Sequence, residues 1–195
     1  MTTPLITLDS TLFRQINGMG ARHAALDGVM IASAQYAPYF VVVLLIAIWL
    51  RWRRTPQQHA FIAFLSALCS LGIGQFIGMA LPRTRPYLVL PARLLVPHSP
   101  DVSFPSDHAT LMFAITVALW SIDRRLGIAL LVLSIDVAFA RVYVGVHYPG
   151  DVLGGAALGS VVAYAGARIA RTARGRAGLT RLFDVAARMH LAART

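Results

Sequence analysis

Apolar runs long enough to cross a bilayer alternate with short polar links along most of this chain. They cover about 26–50 (with Pro38 inside), 60–81, 107–122, 126–146 and 151–169. A helix needs roughly 20 residues to span the hydrocarbon core, so the third run spans only if its polar start lies below the membrane surface. Ahead of the runs, Leu5, Leu8, Leu12, Ile16 and Met19 recur at helical spacing. Residues 1–24 therefore read as an amphipathic helix in the membrane interface or as an ordinary packed helix. Beyond the last run, 171–195 is rich in Ala and Arg. It reads as a basic cytoplasmic tail, either an interfacial helix on anionic lipid or a disordered segment. The pattern predicts an all-α, polytopic transmembrane bundle of about five spans plus the N-terminal interfacial helix, in one domain over 1–195.

Composition agrees. The 195 residues are 57% hydrophobic and 13% charged, with a mean hydropathy of +0.64. A soluble domain carries about 25% charged residues. All 18 basic residues are Arg and all 8 acidic ones are Asp, for a net charge of +10. No nucleic-acid-binding pattern accompanies that charge, which instead fits membrane topology and contact with anionic headgroups. Cys69 stands alone in an apolar run, which excludes an intramolecular disulfide and suggests a small packing residue.

The arginines are unevenly placed. With the 51–59 link in the cytoplasm, twelve fall on that side: Arg51, Arg53, Arg54, Arg124, Arg125 and the seven from Arg168 onward. Six fall on the other: Arg14, Arg22, Arg83, Arg85, Arg93 and Arg141. The positive-inside rule favours this orientation. It puts the long link 82–106, with prolines at 82, 86, 91, 97, 100 and 105, on the extracytoplasmic face; long loops of this kind tend to be functional. In the last run Gly150-x3-Gly154 and Gly155-x3-Gly159 allow close helix approach, either within the chain or across a homodimer.

Three short polar motifs interrupt the apolar pattern, all on that same face: Arg85-Pro86, Pro105-Ser106-Asp107-His108, and Arg141-x5-His147-x3-Asp151. Charge at the edge of a membrane segment is rarely kept without a use. Transfer of a phosphoryl group spreads charge over three oxygens and calls for preorganised donors. Arg85 and Arg141 offer planar forks for such oxygens, and Ser106 opens a helix whose free N–H groups attract anions. His147 and Asp151 are four residues apart. If a helix starts near Pro149, the carboxylate can accept the proton of one ring nitrogen and present the other as a nucleophile. His108 is then the general acid. The alternatives are interfacial snorkelling of the arginines and a zinc site on His108, His147 and Asp151; neighbouring guanidiniums disfavour a metal. His23, His59, His98 and His190 read as incidental, His98 and Arg93 less clearly so because they share the long loop.

In these residues the chain resembles the type 2 phosphatidic acid phosphatase superfamily, whose pattern is Lys-x6-Arg-Pro, Pro-Ser-Gly-His and Ser-Arg-x5-His-x3-Asp. The resemblance covers some 70 residues in order and spacing, and most of the chain in membrane layout. Within the superfamily it is most similar to the bacitracin-resistance type of undecaprenyl-diphosphate phosphatase, through Phe104-Pro-Ser-Asp-His108-x-Thr110, Arg141-Val-Tyr-Val-Gly-Val-His147, and the stretch Ile16-Asn17…Leu26-Asp27…Tyr36-x-Pro38. The resemblance implies a polyprenyl diphosphate substrate, a phosphohistidine on His147, no metal or other cofactor, and an extracytoplasmic site in the bacterial inner membrane. It also implies recycling of the lipid carrier for the cell wall. A broader lipid phosphatase acting on phosphatidylglycerophosphate or phosphatidate is the second enzyme reading; a non-catalytic lipid-binding or transport protein is the reading from another class. Three positions depart from the pattern. Gly78 stands where it has Lys, with Arg83 as the candidate replacement at the phosphate; Asp107 stands for Gly, and Ala140 for Ser.

Overall fold

The computed structural model describes residues 4–20, 22–50, 54–120 and 123–192. All of its regular elements are helices: α1 (Pro4–Asn17), α2 (Ala24–Leu50), α3 (Arg54–Ala80), α4 (Pro86–Val89), α5 (Asp107–Leu119), α6 (Arg124–Tyr143), α7 (Pro149–Ala170) and α8 (Ala173–Ala192). Four of the five expected spans, in α2, α3, α6 and α7, are long and apolar enough to cross a membrane. Their outward faces carry large apolar side chains such as Phe40, Val43, Phe76, Val132, Ile135 and Val161, as lipid contact requires. The chain is a multi-pass membrane protein. Arg51, Arg53 and Ile122 of the sequence reading lie outside the described residues.

The third run differs from its neighbours. It forms α5, which ends after 13 residues and is therefore about 20 Å long at 1.5 Å per residue. It is the buried centre of the bundle: Ala109, Met112, Ala114, Ile115, Ala118 and Leu119 all face other helices. Small residues on α7 make this possible. A Cβ at Gly159 would lie 2.2 Å from the Thr110 carbonyl oxygen, and one at Gly155 2.5 Å from that of Ser106. The glycine face is thus used within the chain. On the other flank Thr116 and Ser134 join α5 to α6 through their hydroxyls at 2.8 Å, an interhelical bond of the kind that fixes register in lipid. Cys69 departs from expectation: it lies on the exposed side of α3, while Ser66, Ala67 and Ser70 face inward.

The two ends of the bundle are unlike. At one end Trp49, Phe61 and Phe183 form an aromatic cluster with centroids 5.7–6.2 Å apart, which holds the Arg-rich α8 against α2 and α3. At the other end the 82–106 loop meets α1, the start of α5, the end of α6 and the start of α7. Asn17 ties three of these segments. Its amide donates to the carbonyls of Arg93 (2.9 Å) and Tyr143 (2.8 Å), and its carbonyl accepts from Arg93 N–H at 2.8 Å. Leu8 and Leu12 of the α1 stripe face outward, as does Ile6, whereas Phe13 is fully buried.

Candidate active site

All three polar motifs lie at this second end. Arg141 closes α6, and the chain then reverses at Gly145, whose φ of +93° is open to glycine at little cost. A Cβ there would also meet the Arg93 carbonyl oxygen at 2.5 Å. The reversal delivers His147 to the pocket just before α7 begins at Pro149. Arg85, Arg141 and His147 are 5%, 3% and 2% exposed, and Ser106 and Asp151 are fully buried.

The ring of His147 is held on both sides. Nε2 lies 3.2 Å from Nη1 of Arg85, which also donates to the Val146 carbonyl at 3.0 Å, while Nε of Arg85 pairs with Asp101 at 2.6 Å. Nδ1 lies 3.7 Å from Oδ2 of Asp151. That is an ion-pair separation, longer than a hydrogen bond, and Ser103 occupies the gap. Its hydroxyl donates to Asp151 Oδ2 at 2.5 Å and stands 3.5 Å from His147 Nδ1. An arginine can only donate, so Nε2 is the acceptor nitrogen and Nδ1 carries the proton. This tautomer leaves the Nε2 lone pair on the arginine side.

Asp151 is surrounded by donors. Besides Ser103, Oδ2 accepts from Tyr148 N–H at 2.8 Å, a bond that also caps α7. Oδ1 pairs with Arg83 at 2.7 Å. Arg83 therefore sits beyond Asp151, where it also pairs with Asp9 at 2.5 Å and lies 3.9 Å over the Tyr148 ring. It does not stand with Arg85 and Arg141 as the sequence reading placed it.

Two buried polar atoms have no partner among the described residues: Oγ of Ser106 and Nε of Arg141. A buried unsatisfied donor costs about 1–3 kcal/mol, so such atoms call for an explanation. Both belong to the motifs, and Ser106 N–H is tied to the Asp151 carbonyl at 3.1 Å. The other ends of Arg141 are engaged: Nη2 lies 2.7 Å from His98 Nε2 and Nη1 3.4 Å from the Ala34 carbonyl. His98, read as incidental, is thus part of the site, with its ring 6.3 Å from that of His147. His108, on the first turn of α5, is half-buried and shares the field of Arg141, His147, His98 and Arg85. Asp107 turns to Gln75 of α3, 3.3 Å from each carboxylate oxygen. Gly78 packs under the loop, where a Cβ would meet Phe104 O and Val102 Cγ2 at 3.1 Å each.

Electrostatics keep the two loop histidines neutral. Burial, above all, pushes His147 down to about 4; Asp151 pulls the other way, and Arg141 and Arg85 add to the depression. Burial likewise lowers His98. The site thus offers a neutral imidazole beside fixed positive charge, an arrangement suited to anions. Among the described residues no three His, Cys or Asp side chains converge as a metal site would require.

Sequence reasoning missed Ser103, Asp101 and Asp9. A serine two residues before the Pro105 motif carries no spacing signal of its own; Asp101 meets Arg85 only through the folding of the long loop, and Asp9 acts across the fold.

A multi-pass helical bundle with a buried His–Asp pair facing arginine forks defines a membrane-embedded, phosphate-handling enzyme class. The chain belongs to the PAP2 superfamily, whose model matches residues 58–174. It is 31% identical over 153 residues to the undecaprenyl-diphosphatase BcrC of Bacillus subtilis (strain 168), covering 78% of this chain and 79% of that one. It is 36% identical over 157 residues to a protein of Bacillus licheniformis named bacitracin transport permease protein BcrC, covering 78% and 75%. Among solved structures it is similar to Aquifex aeolicus LpxE, with a TM-score of 0.68 and 26% identity over 86% of this chain and 99% of that one.

Proposed function

We propose that the chain hydrolyses undecaprenyl diphosphate to undecaprenyl phosphate and phosphate, in the bacterial cytoplasmic membrane and from the extracytoplasmic side. The observation that carries the reading is the pair of unpartnered buried atoms, Ser106 Oγ and Arg141 Nε, in motifs that also supply an acceptor nitrogen on His147. A terminal phosphoryl group would give both atoms the partner they lack. The similarity to an undecaprenyl-diphosphatase over most of both chains supports the lipid. The crowding of arginines toward the opposite end of the bundle supports the face.

In the proposed reaction Arg85, Arg141 and Ser106 bind the terminal phosphoryl oxygens. His147 Nε2 attacks phosphorus; the N–P bond forms as the bridging P–O bond breaks. His108 gives its proton to the leaving oxygen of undecaprenyl phosphate. The negative charge of the bound diphosphate is what favours the protonated His108. Water then gives a proton back to His108 and attacks phosphorus, the N–P bond breaks, and phosphate leaves. Asp151 and Ser103 hold the Nδ1 proton throughout.

The test is phosphate release from undecaprenyl diphosphate by the purified full chain in detergent with EDTA, beside phosphatidate and phosphatidylglycerophosphate. Turnover of the polyprenyl lipid in chelator is expected. A clear preference for either glycerolipid would move the assignment to the broader lipid phosphatases, and activity lost in EDTA but restored by one metal would overturn the metal-free step.

A pH profile checks the nucleophile. The reactive form is neutral His147, and its pKa lies below the ordinary 6.5, at about 4. The neutral form therefore persists as pH falls and is lost only through about 4. The acid limb of kcat/KM, which reports the free enzyme, is expected near that value; an acid limb at 6.5 would contradict a buried imidazole flanked by guanidiniums.

A further inference from the structure

The charges behind His147 lead out of the bundle to α1. Asp9 uses both carboxylate oxygens. Oδ2 pairs with Arg83 Nη2 at 2.5 Å, and Oδ1 accepts from Gly150 N–H, in the first turn of α7, at 2.8 Å. Arg83 in turn places Nη1 2.7 Å from Asp151 Oδ1. The contact is reinforced next to it, where Phe13 of α1 packs on the Tyr148 ring at 5.5 Å and Arg83 covers that ring. Gly150 makes the approach possible, since a Cβ there would lie 2.9 Å from Asp9 Oδ2 and 3.4 Å from Arg83 Nη1. On the outer side of α1, Ile6, Leu8 and Leu12 are exposed and border a groove of about 760 Å³ with Val89 and Leu153.

We propose that Asp9 is a positioning residue for the phosphatase reaction: docking of α1 holds Arg83 on Asp151 and so fixes the carboxylate that orients His147. This rests on the function proposed above. Arg83 shared between two carboxylates leaves the Asp9–Arg83–Asp151 group with one net negative charge, which supports the Nδ1 proton as Nε2 becomes phosphorylated. Without the charge of Asp9, Arg83 and Asp151 cancel, and the imidazole loses that support. The other groups facing His147 are unchanged: Arg85 and His98 from the loop, His108 from α5 and Arg141 from α6.

The experiment compares wild type, Asp9→Asn, Arg83→Gln and Gly150→Ala as full-length protein in detergent. It reads turnover of undecaprenyl diphosphate against concentration and pH, and ring-nitrogen NMR titration of His147. Asp9→Asn is expected to lower kcat about tenfold, the scale of losing an outer-shell partner, with KM little changed. It should move the His147 titration to lower pH, and Arg83→Gln, which removes a positive charge, should move it to higher pH. Opposite shifts follow from the two charges alone, so kcat decides the role: shifted titrations with kcat unchanged in Asp9→Asn would make the contact merely structural and overturn the proposal. Unchanged kcat and an unchanged titration in Asp9→Asn would overturn the proposal. If that variant does not fold, Gly150→Ala decides, since it displaces the Asp9 carboxylate and should also lower kcat and the titration point. A wild type without turnover would remove the functional reading alone, because the NMR titration still reports whether Asp9 is coupled to His147.

Discussion

Replacing His147 with alanine is expected to abolish phosphate release while lipid binding survives. The side chain is 2% exposed, and no other imidazole in the site has its restraint. Asp151 and Ser103 face Nδ1, and Arg85 faces Nε2. His98 points its Nε2 at Arg141 instead, so it cannot substitute without breaking that contact. The groups that would bind the phosphate, Arg85, Arg141 and Ser106, remain in the variant, so affinity for the diphosphate should be largely kept. Loss of a nucleophile that works as one unit with its partners costs on the order of 10⁶-fold. The measurement is twofold: turnover by the purified variant, and capture of radiolabelled phosphate on the quenched enzyme. Wild type should give an acid-labile, base-stable label that His147→Ala lacks. Turnover within tenfold of wild type would remove His147 as the nucleophile. A protein that carries lipid or drug across the membrane without chemistry would be indifferent to this substitution, so the same experiment separates the phosphatase from a transport role. The cavity left by the ring makes a thermal-unfolding control necessary, because a variant that unfolds would also lose binding.

Much of this site could be read from the chain before any fold was known, and the reason is local geometry. His147 and Asp151 are four positions apart, so a helix starting near Pro149 leaves the carboxylate in its first turn close to the histidine just before it; Arg85 and Ser103 from the long loop then fix the ring. Ser106 precedes an apolar run, so it could be placed at the head of a helix. Gly155 and Gly159 share one face of α7, and close approach to some helix followed from that; α5 proved to be the partner. Arg83 shows where such reading stops. It lies two residues from Arg85, but the backbone turns its guanidinium toward Asp9, 74 positions earlier, and Asp151, 68 positions later. Long side chains of one type have no spacing rule to say which carboxylate they will find. Asn17 and His98 are alike in this respect: each is fixed by groups from other segments of the fold. The end of α5 was hidden for a different reason. The run 107–122 stays apolar past Leu119, and hydropathy marks lipid and protein interior equally, so a buried central helix of 13 residues reads as part of a longer span. Cys69 is the converse, since a small residue in an apolar run can face either lipid or protein.

Asp151→Asn should be nearly as damaging as loss of His147, for a reason visible in its surroundings. Every polar group around the carboxylate is a donor: Arg83 Nη1 at Oδ1, and Tyr148 N–H, the Ser103 hydroxyl and the His147 Nδ1 side at Oδ2. An asparagine keeps one acceptor oxygen and adds an NH₂ that only donates. In one orientation that NH₂ confronts Arg83. In the other it confronts Tyr148 N–H and turns Ser103 from donor to acceptor, which pushes the His147 proton from Nδ1 toward Nε2. A protonated Nε2 has no lone pair for phosphorus and opposes Arg85, which now donates to it. Tautomer errors of this kind in His–Asp hydrolases cost about 10⁴-fold in kcat. The expected result is a loss of about 10³–10⁴-fold in kcat with the fold retained, and a much smaller change in lipid affinity, because the arginines proposed to meet the phosphate are untouched. Ser103→Ala should fall between wild type and Asp151→Asn, since it removes the bridge but leaves the charge. Steady-state kinetics on the three proteins, with thermal unfolding beside them, decide it. A near-normal kcat in Asp151→Asn would mean that Arg85 alone sets the tautomer of His147, and that the Asp9–Arg83–Asp151 charges serve the docking of α1 rather than the reaction.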